Sequence, residues 1–300
     1  MTQLITPAPP AAPTVVAARP PGLALLRLKF RLLAAVSTEW AFRAAWRLFT
    51  TPRRLPEKAW ETAALAGARR FAVPGPTGGA LAAYEWNPAG ARTVLLVHGW
   101  EHRASFWGVL VRELVAAGYR VVALDAPAHG ASAGRRLTLP AYVRAVQALA
   151  DTLGAVHAVV AHSLGGATVV GGPVRFNAAA GGGLPRLALL AVPASTPAVA
   201  RRFAAMLGLP PAVMGRLNGY IRQQHGRDAE SFSLTQAGPV FPADKVLLLH
   251  DQNDESIPFA EARELAAAWP ALDFVATSGL GHNRIMREPA VLARIVEFLA

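Results

Sequence analysis

The spacing of apolar positions changes period along this chain. From Leu23 to Phe49 the residues Leu25, Leu28, Leu32, Val36, Trp40 and Trp46 recur at helical intervals, and Pro52 marks an end. Beyond residue 80 the pattern becomes a series of short β-rich runs at 80–86, 93–97, 120–125, 156–161, 187–192, 246–250 and 272–277. Most are continuously apolar (TVLLV, VLLLH), as strands buried on both faces should be. Helical segments are predicted between them at 105–117, 138–153, 164 to about 172, 258–269 and 289–299. Strand alternating with helix specifies a mostly parallel sheet covered on both sides. Pro173 and the glycines at 181–183 are expected to shorten the helix after residue 163 and to leave a flexible connection.

One interval does not alternate. Between residues 194 and 242, Phe203, Leu207, Met214, Leu217 and Ile221 suit one or two amphipathic helices inserted between strands, which read as a lid; an ordinary long connection is the plainer alternative.

Composition narrows the classes. With 53% hydrophobic and 16% charged residues the chain is too apolar for disorder, yet it offers no uninterrupted apolar window of about 18 residues. Cysteine is absent, which excludes disulfides, thiolate metal sites and a cysteine nucleophile. Residues 1–22 carry six prolines among alanines and are expected to be a loose tail. The apolar stretch after Gly22 is broken by Arg27, Lys29 and Arg31, unlike a secretory signal, so a cytoplasmic location is the default expectation. The chain therefore divides into a tail at 1–22, a helical extension at 23–70 and one α/β domain at 71–300 with its lid at about 194–242.

The net charge of +11 raises nucleic acid as a partner, but its location argues otherwise. Residues 19–70 hold eleven basic and three acidic residues, a net +8, leaving +3 for the rest. No RNA-binding aromatic motif, zinc-finger spacing or basic heptad region accompanies it, so no nucleic-acid partner is expected. The basic extension is read first as a helix packed on the domain. Peripheral contact with an anionic membrane is the second reading.

Candidate chemistry begins at residues 159–167, VVAHSLGGA. A buried strand that turns at once into a helix needs small residues at the corner, and this leaves Ser163 at its apex. Either the serine caps the helix, or it is a nucleophile on a strained turn. Partners for the second reading lie at the carboxyl ends of other strands. His98, Gly99 and Trp100 end the run 93–97, DAPAHG ends the next, Asp251 and Asp254 follow the run 246–250, and His282 follows 272–277. A serine hydroxyl needs a base, a carboxylate to orient that base, and donors for an oxyanion.

The order serine, aspartate, histidine, with HG after an early strand, resembles the α/β-hydrolase fold over residues 71–300. The A-H-S-L-G stretch departs from G-x-S-x-G only by the methyl group of Ala161. The resemblance implies Ser163 as nucleophile, His282 as general base and Asp254 as its orienting acid, by the D-x-x-(V/I)-P pattern. It also implies the backbone amides of Trp100 and Leu164 as the oxyanion hole. Asp251 is then a turn residue bonding local amides. His98 and His129 are read as structural, and His162 as packing or hydrogen-bonding beneath the serine. His102, His157, His225 and His250 show no metal-ligand spacing, so neither metal nor cofactor is expected.

A serine at the turn argues against the carboxylate-dependent dehalogenases and epoxide hydrolases of this fold. Acyl transfer to water is the expected reaction, on a small-molecule carboxylic ester first, a thioester or amide next. Phe203, Met206, Met214, Leu217 and Phe232 of the lid would form a mostly apolar acyl site. A binding protein without turnover, and a C–C hydrolase or cofactor-free haloperoxidase using the same triad, are the alternatives.

Overall fold

The structure, a computed structural model, describes residues 3–5, 22–76, 78–172, 174–177, 184–226 and 228–300, with backbone only at 3–5 and without the side chain of His225. In chain order the elements begin with β1 (Gln3–Ile5), α1 (Leu23–Val36), α2 (Thr38–Thr50), α3 (Ala59–Leu65), β2 (Arg69–Pro74), β3 (Ala80–Trp86) and β4 (Thr93–Val97). They continue with α4 (Gly108–Ala116), β5 (Arg120–Leu124), α5 (Leu139–Leu153), β6 (Ala158–His162), α6 (Leu164–Gly166, continued by a π-turn over Ala167–Gly171) and β7 (Arg186–Leu190). The last are α7 (Thr196–Leu207), α8 (Pro211–His225), α9 (Leu234–Ala237), β8 (Val246–Asp251), α10 (Phe259–Ala268), β9 (Leu272–Thr277), α11 (Gly281–Arg284) and α12 (Pro289–Leu299).

Among the described residues the strands form one nine-stranded sheet in the order β1-β9-β8-β7-β6-β4-β5-β3-β2. Only β3 pairs antiparallel with β5, and β2 antiparallel with β3; every other pair is parallel. The apolar runs alternate their side chains between two cores. Leu95 and Val97 of β4 face α5 and α10, while Val94 and Leu96 face α4 and α12. Both faces are buried, which is why these strands lack the polar half of an alternating pattern.

The amino-terminal region departs from expectation in three ways. Gln3–Ile5, placed in the loose tail, adds a strand beside β9; residues 6–21 lie outside the described residues. The single helix expected over residues 23–49 is two, because Ser37 is extended (φ −158°) and its hydroxyl accepts from the Trp40 amide to start a new helix. The stripe that is buried also differs from the one expected. Phe30, Ala41, Phe42 and Ala45 pack on Leu207 and Val213 of the lid, whereas Leu25, Leu28, Leu32, Val36 and Trp40 are exposed. Helix α3 falls within the helical extension expected over 23–70, whereas strand β2 was not expected and moves the start of the sheet domain from residue 71 to 69. Pro173 and the glycines at 181–183 lie outside the described residues. The non-alternating interval does fold as helices, α7 to α9.

Leu96, fully buried at the middle of the sheet, tests the double-sided core. Leu96→Ala is expected to cost about 2–5 kcal/mol of unfolding free energy in urea titration. A loss below about 1 kcal/mol would mean that the β4 environment is not close-packed.

Candidate active site

Strand β6 must become α6 within a single residue, so the turn is tight. Ser163 takes φ +52° and ψ −120°, a conformation that L residues seldom adopt, and its amide donates to Leu190 O at 2.9 Å. The helix backbone then runs directly against the end of β4. A side chain on Gly165 would collide with the Val97 carbonyl, and one on Gly99 would lie 2.9 Å from Ser163 Cβ. Both glycines are thus close-approach positions, and they bring the 99–102 turn up to the serine.

Ser163 is half-buried. Its Oγ lies 3.1 Å from His282 Nε2, and His282 Nδ1 lies 2.8 Å from Asp254 Oδ2. A carboxylate only accepts, so the Nδ1 proton faces Asp254 and Nε2 is left to accept from the serine. Asp254 Oδ1 separately accepts from the amides of Ser256 and Ile257, both at 2.8 Å. Burial alone would raise the Asp254 pKa. The bond and charge of His282 and the two amides outweigh it, so the net shift is downward and the group stays ionised. The sequence-nominated residues Ser163, His282 and Asp254 are therefore brought into one hydrogen-bonded chain.

The amides of Trp100 and Leu164 have no acceptor among the described residues. Leu164 is the first residue of α6, where an amide has no intrahelical partner, and Trp100 follows the glycine that touches Ser163 Cβ. The turn carrying Trp100 is held by bonds that the sequence did not signal. Glu101 has φ +57° and its amide donates to His129 Nε2 at 3.0 Å. The Glu101 carboxylate receives the amide and guanidinium of Arg53, from the amino-terminal extension. Arg54 donates to Ser132 O, and Arg103 to Leu55 O, so residues 53–55 are stapled to the rim.

The histidine loop is also pinned from outside its own segment. Asp251 accepts from the amides of Leu280 and Gly281 and from Thr277 Oγ1, as well as from its local Asn253 amide. It is a turn residue as expected, but its principal clients are 26 to 30 residues away. Glu255 accepts from the His282 amide, and His162 Nε2 donates to His282 O at 3.0 Å. His98 donates from Nδ1 to Gly99 O and accepts at Nε2 from the Ala126 amide. His250 donates to Ile257 O, with Asp254 Oδ2 at 3.5 Å. His157 lies far from this group, against Leu299 O.

Burial pushes the pKa values of His98, His129, His162 and His250 down, and that of His102 to about 4. These five rings are neutral supports. Among the described residues no group of three or more His, Asp or Glu side chains could hold a metal ion.

Of the expected acyl-site residues, Phe203, Met214 and Leu217 do come together. They line a shallow apolar groove whose other wall is Phe42, Trp46 and Phe49 of α2, and whose lining includes none of Ser163, His282, Trp100 and Leu164. Met206 does not join them: it is 41% exposed at the end of α7, where only one helical face can turn inward. Phe232 is half-buried elsewhere, in a 3₁₀ turn whose carbonyl accepts from Thr196 Oγ1.

Residues 94–295 match the model of the alpha/beta hydrolase family. A serine hydrolase-like protein of Danio rerio is 34% identical over 104 residues, a match covering 33% of this chain and 31% of that protein, so the chain aligns with under a third of its length. An esterase of Pyrococcus furiosus superposes with a TM-score of 0.58 at 18% identity, over 83% of this chain and 96% of that one. Mouse alpha/beta hydrolase domain-containing protein 10 does so with a TM-score of 0.57 at 19% identity, over 76% and 96%. A bacterial membrane phospholipase A covers 92% of this chain and 97% of its own, with a TM-score of 0.58 at 19% identity.

Asp251→Asn replaces one acceptor oxygen by an amide that faces donors. It is expected to lower unfolding free energy by about 2–4 kcal/mol, read by urea titration. Unchanged stability would remove Asp251 from its supporting role.

The histidines set an acid limit. Their folded pKa values lie below the ordinary 6.5, so below pH 6.5 the unfolded chain binds protons that the fold excludes. Stability is complete above that pH and falls by about 1.4 kcal/mol per pH unit for each ring still neutral in the fold. Asp125, whose carboxyl is pushed up by burial, acts in the opposite sense. The depressed carboxyl of Asp254 acts only below about pH 4. Urea midpoints measured from pH 7 to 4.5 should decline steeply; a flat profile would refute neutral burial.

Proposed function

The chain belongs to the alpha/beta hydrolase family, and from that membership we propose that it is a serine hydrolase cleaving a carboxylic ester or related acyl substrate through an acyl-enzyme on Ser163. The observation that carries this reading is the unbroken chain of hydrogen bonds Ser163–His282–Asp254, together with two amides that have no acceptor among the described residues. Each atom has a task in it. As Ser163 Oγ adds to the substrate carbonyl carbon, its proton passes to His282 Nε2. The carbonyl π-pair moves onto oxygen, which the Trp100 and Leu164 amides stabilise. Collapse of the tetrahedral species breaks the bond to the leaving group, which takes the proton from Nε2. Water then repeats the sequence on the acyl-enzyme, releasing the acid and restoring the serine.

Asp254 does not accept the Nδ1 proton. Its depressed pKa keeps it a carboxylate while the imidazole becomes imidazolium, and its charge stabilises that state.

Ser163→Ala should lose both fluorophosphonate labelling and turnover of a nitrophenyl ester while circular dichroism is unchanged. Asp254→Asn retains Oδ1 for the Ser256 and Ile257 amides but presents a donor to His282 Nδ1. Turnover should fall on the order of a thousandfold or more, with little change in melting temperature. Labelling that survives in Ser163→Ala, or near-normal turnover in Asp254→Asn, would falsify this assignment. A panel of nitrophenyl esters of rising acyl length reads the preferred acyl length.

A further inference from the structure

Helices α1 and α2 form a two-faced cap. Their inner face, through Phe30, Ala41, Phe42 and Ala45, packs on α7 and α8 of the lid. Their outer face presents Leu25, Leu28, Leu32, Val36 and Trp40, exposed by 72%, 49%, 61%, 73% and 59%. In α1 these positions follow i, i+3, i+7 and i+11, so they make one stripe rather than scattered surface residues, and Trp40 is exposed on α2 beyond the break at Ser37. A continuous apolar stripe left in water marks an interaction surface.

The charge beside that stripe identifies what fits it. Lys29 and Arg31 are exposed next to Leu28 and Leu32, and Arg47 lies on the outward face of α2 with Trp40. None of these three cations pairs with an acidic side chain among the described residues. Residues 23–50 hold five basic residues and one acidic, and that acid, Glu39, is already bound by Arg43 and Arg216. Apolar side chains flanked by unpaired cations match the boundary of an anionic bilayer, where the former enter the acyl region and the latter meet headgroup phosphates. A second copy of this chain fits poorly, because a twofold contact would face this patch, with its excess of cations, with an identical positively charged patch.

We infer that the outer face of α1 and α2 docks the protein on anionic lipid bilayers. Among the described residues no helix is long and apolar enough to cross a membrane, so the contact lies in the interface plane. Helix α2 joins the two surfaces: Trp40 and Arg47 face outward, while Phe42, Trp46 and Phe49 line the apolar groove. Docking therefore sets the groove one helix away from the lipid. The inference is independent of the reaction, since binding is read without turnover.

The test is flotation of the full chain with vesicles of phosphatidylcholine alone or mixed with phosphatidylglycerol. The protein should float with the mixed vesicles at low salt and stay behind with phosphatidylcholine alone. Each cation adds about fivefold in partitioning, so Lys29→Glu with Arg31→Glu should lose at least about 25-fold. Leu28→Asp with Leu32→Asp should abolish flotation. All four positions are exposed and none belongs to the Ser163 site, so both double variants should keep wild-type melting temperatures and the same turnover of a short soluble ester. Wild-type protein that stays behind with mixed vesicles at low salt overturns the inference, as does flotation that neither variant weakens. A wild-type dimer in gel filtration that Leu28→Asp with Leu32→Asp dissociates, without vesicle binding, assigns the face to a second copy instead.

Discussion

The site depends on one crossing of backbone. Strand β6 has to turn into α6 inside the width of the sheet, and the helix therefore passes against the end of β4, with Gly165 on the Val97 carbonyl and Gly99 on Ser163 Cβ. Holding Ser163 at φ +52° costs about 1–3 kcal/mol, which the fully buried strands on either side can sustain. The same crossing sets the Gly99–Trp100 turn against Ser163, and the Trp100 amide and the Leu164 amide that starts α6 have no acceptor among the described residues. The strained turn at Ser163 and the placing of the Trp100 turn beside it are thus consequences of a single close approach.

Around that crossing, histidines divide by partner rather than by position in the chain. His98 sits between a carbonyl and an amide, and His129 likewise donates to Pro127 O and accepts from Glu101, so each has a fixed neutral tautomer. His162 and His250 donate to carbonyls. His282 alone among the buried rings faces a carboxylate at one nitrogen and a hydroxyl at the other. That asymmetry suits it to proton transfer. The neutral rings shape the turns that present it.

The amino-terminal extension is integral to the rim. Arg53 is largely exposed, and a single surface ion pair with Glu101 would contribute only about 0–1 kcal/mol. Its backbone amide binds the same carboxylate, however, while Arg54 and the Arg103–Leu55 bond fasten the neighbouring chain, and Glu61 sits buried against Arg103 and Ser105. Together these fix the turn that carries the Trp100 amide. The preceding helix supplies half of the groove wall.

What the sequence by itself determined was whatever rests on local periodicity and on short spacings. Buried strands read as apolar runs because both sheet faces are covered, and small residues around Ser163 marked a turn that no larger side chain can enter. The resemblance carried by serine, aspartate and histidine in that order named the residues that now lie within hydrogen-bond distance, and placed Asp254 rather than Asp251 beside the imidazole. Only the tertiary structure decided which face of the first helices is buried, since both faces of α1 carry leucines and the choice depends on the lid's Leu207 and Val213, nearly two hundred residues away. It also decided that Asp251, Glu255 and His162 hold the His282 loop, that Arg53 holds the Trp100 turn, and that α2 walls the groove while Met206 does not. These contacts join segments distant in the chain, and a hydrogen bond between such segments leaves no periodic trace in either one.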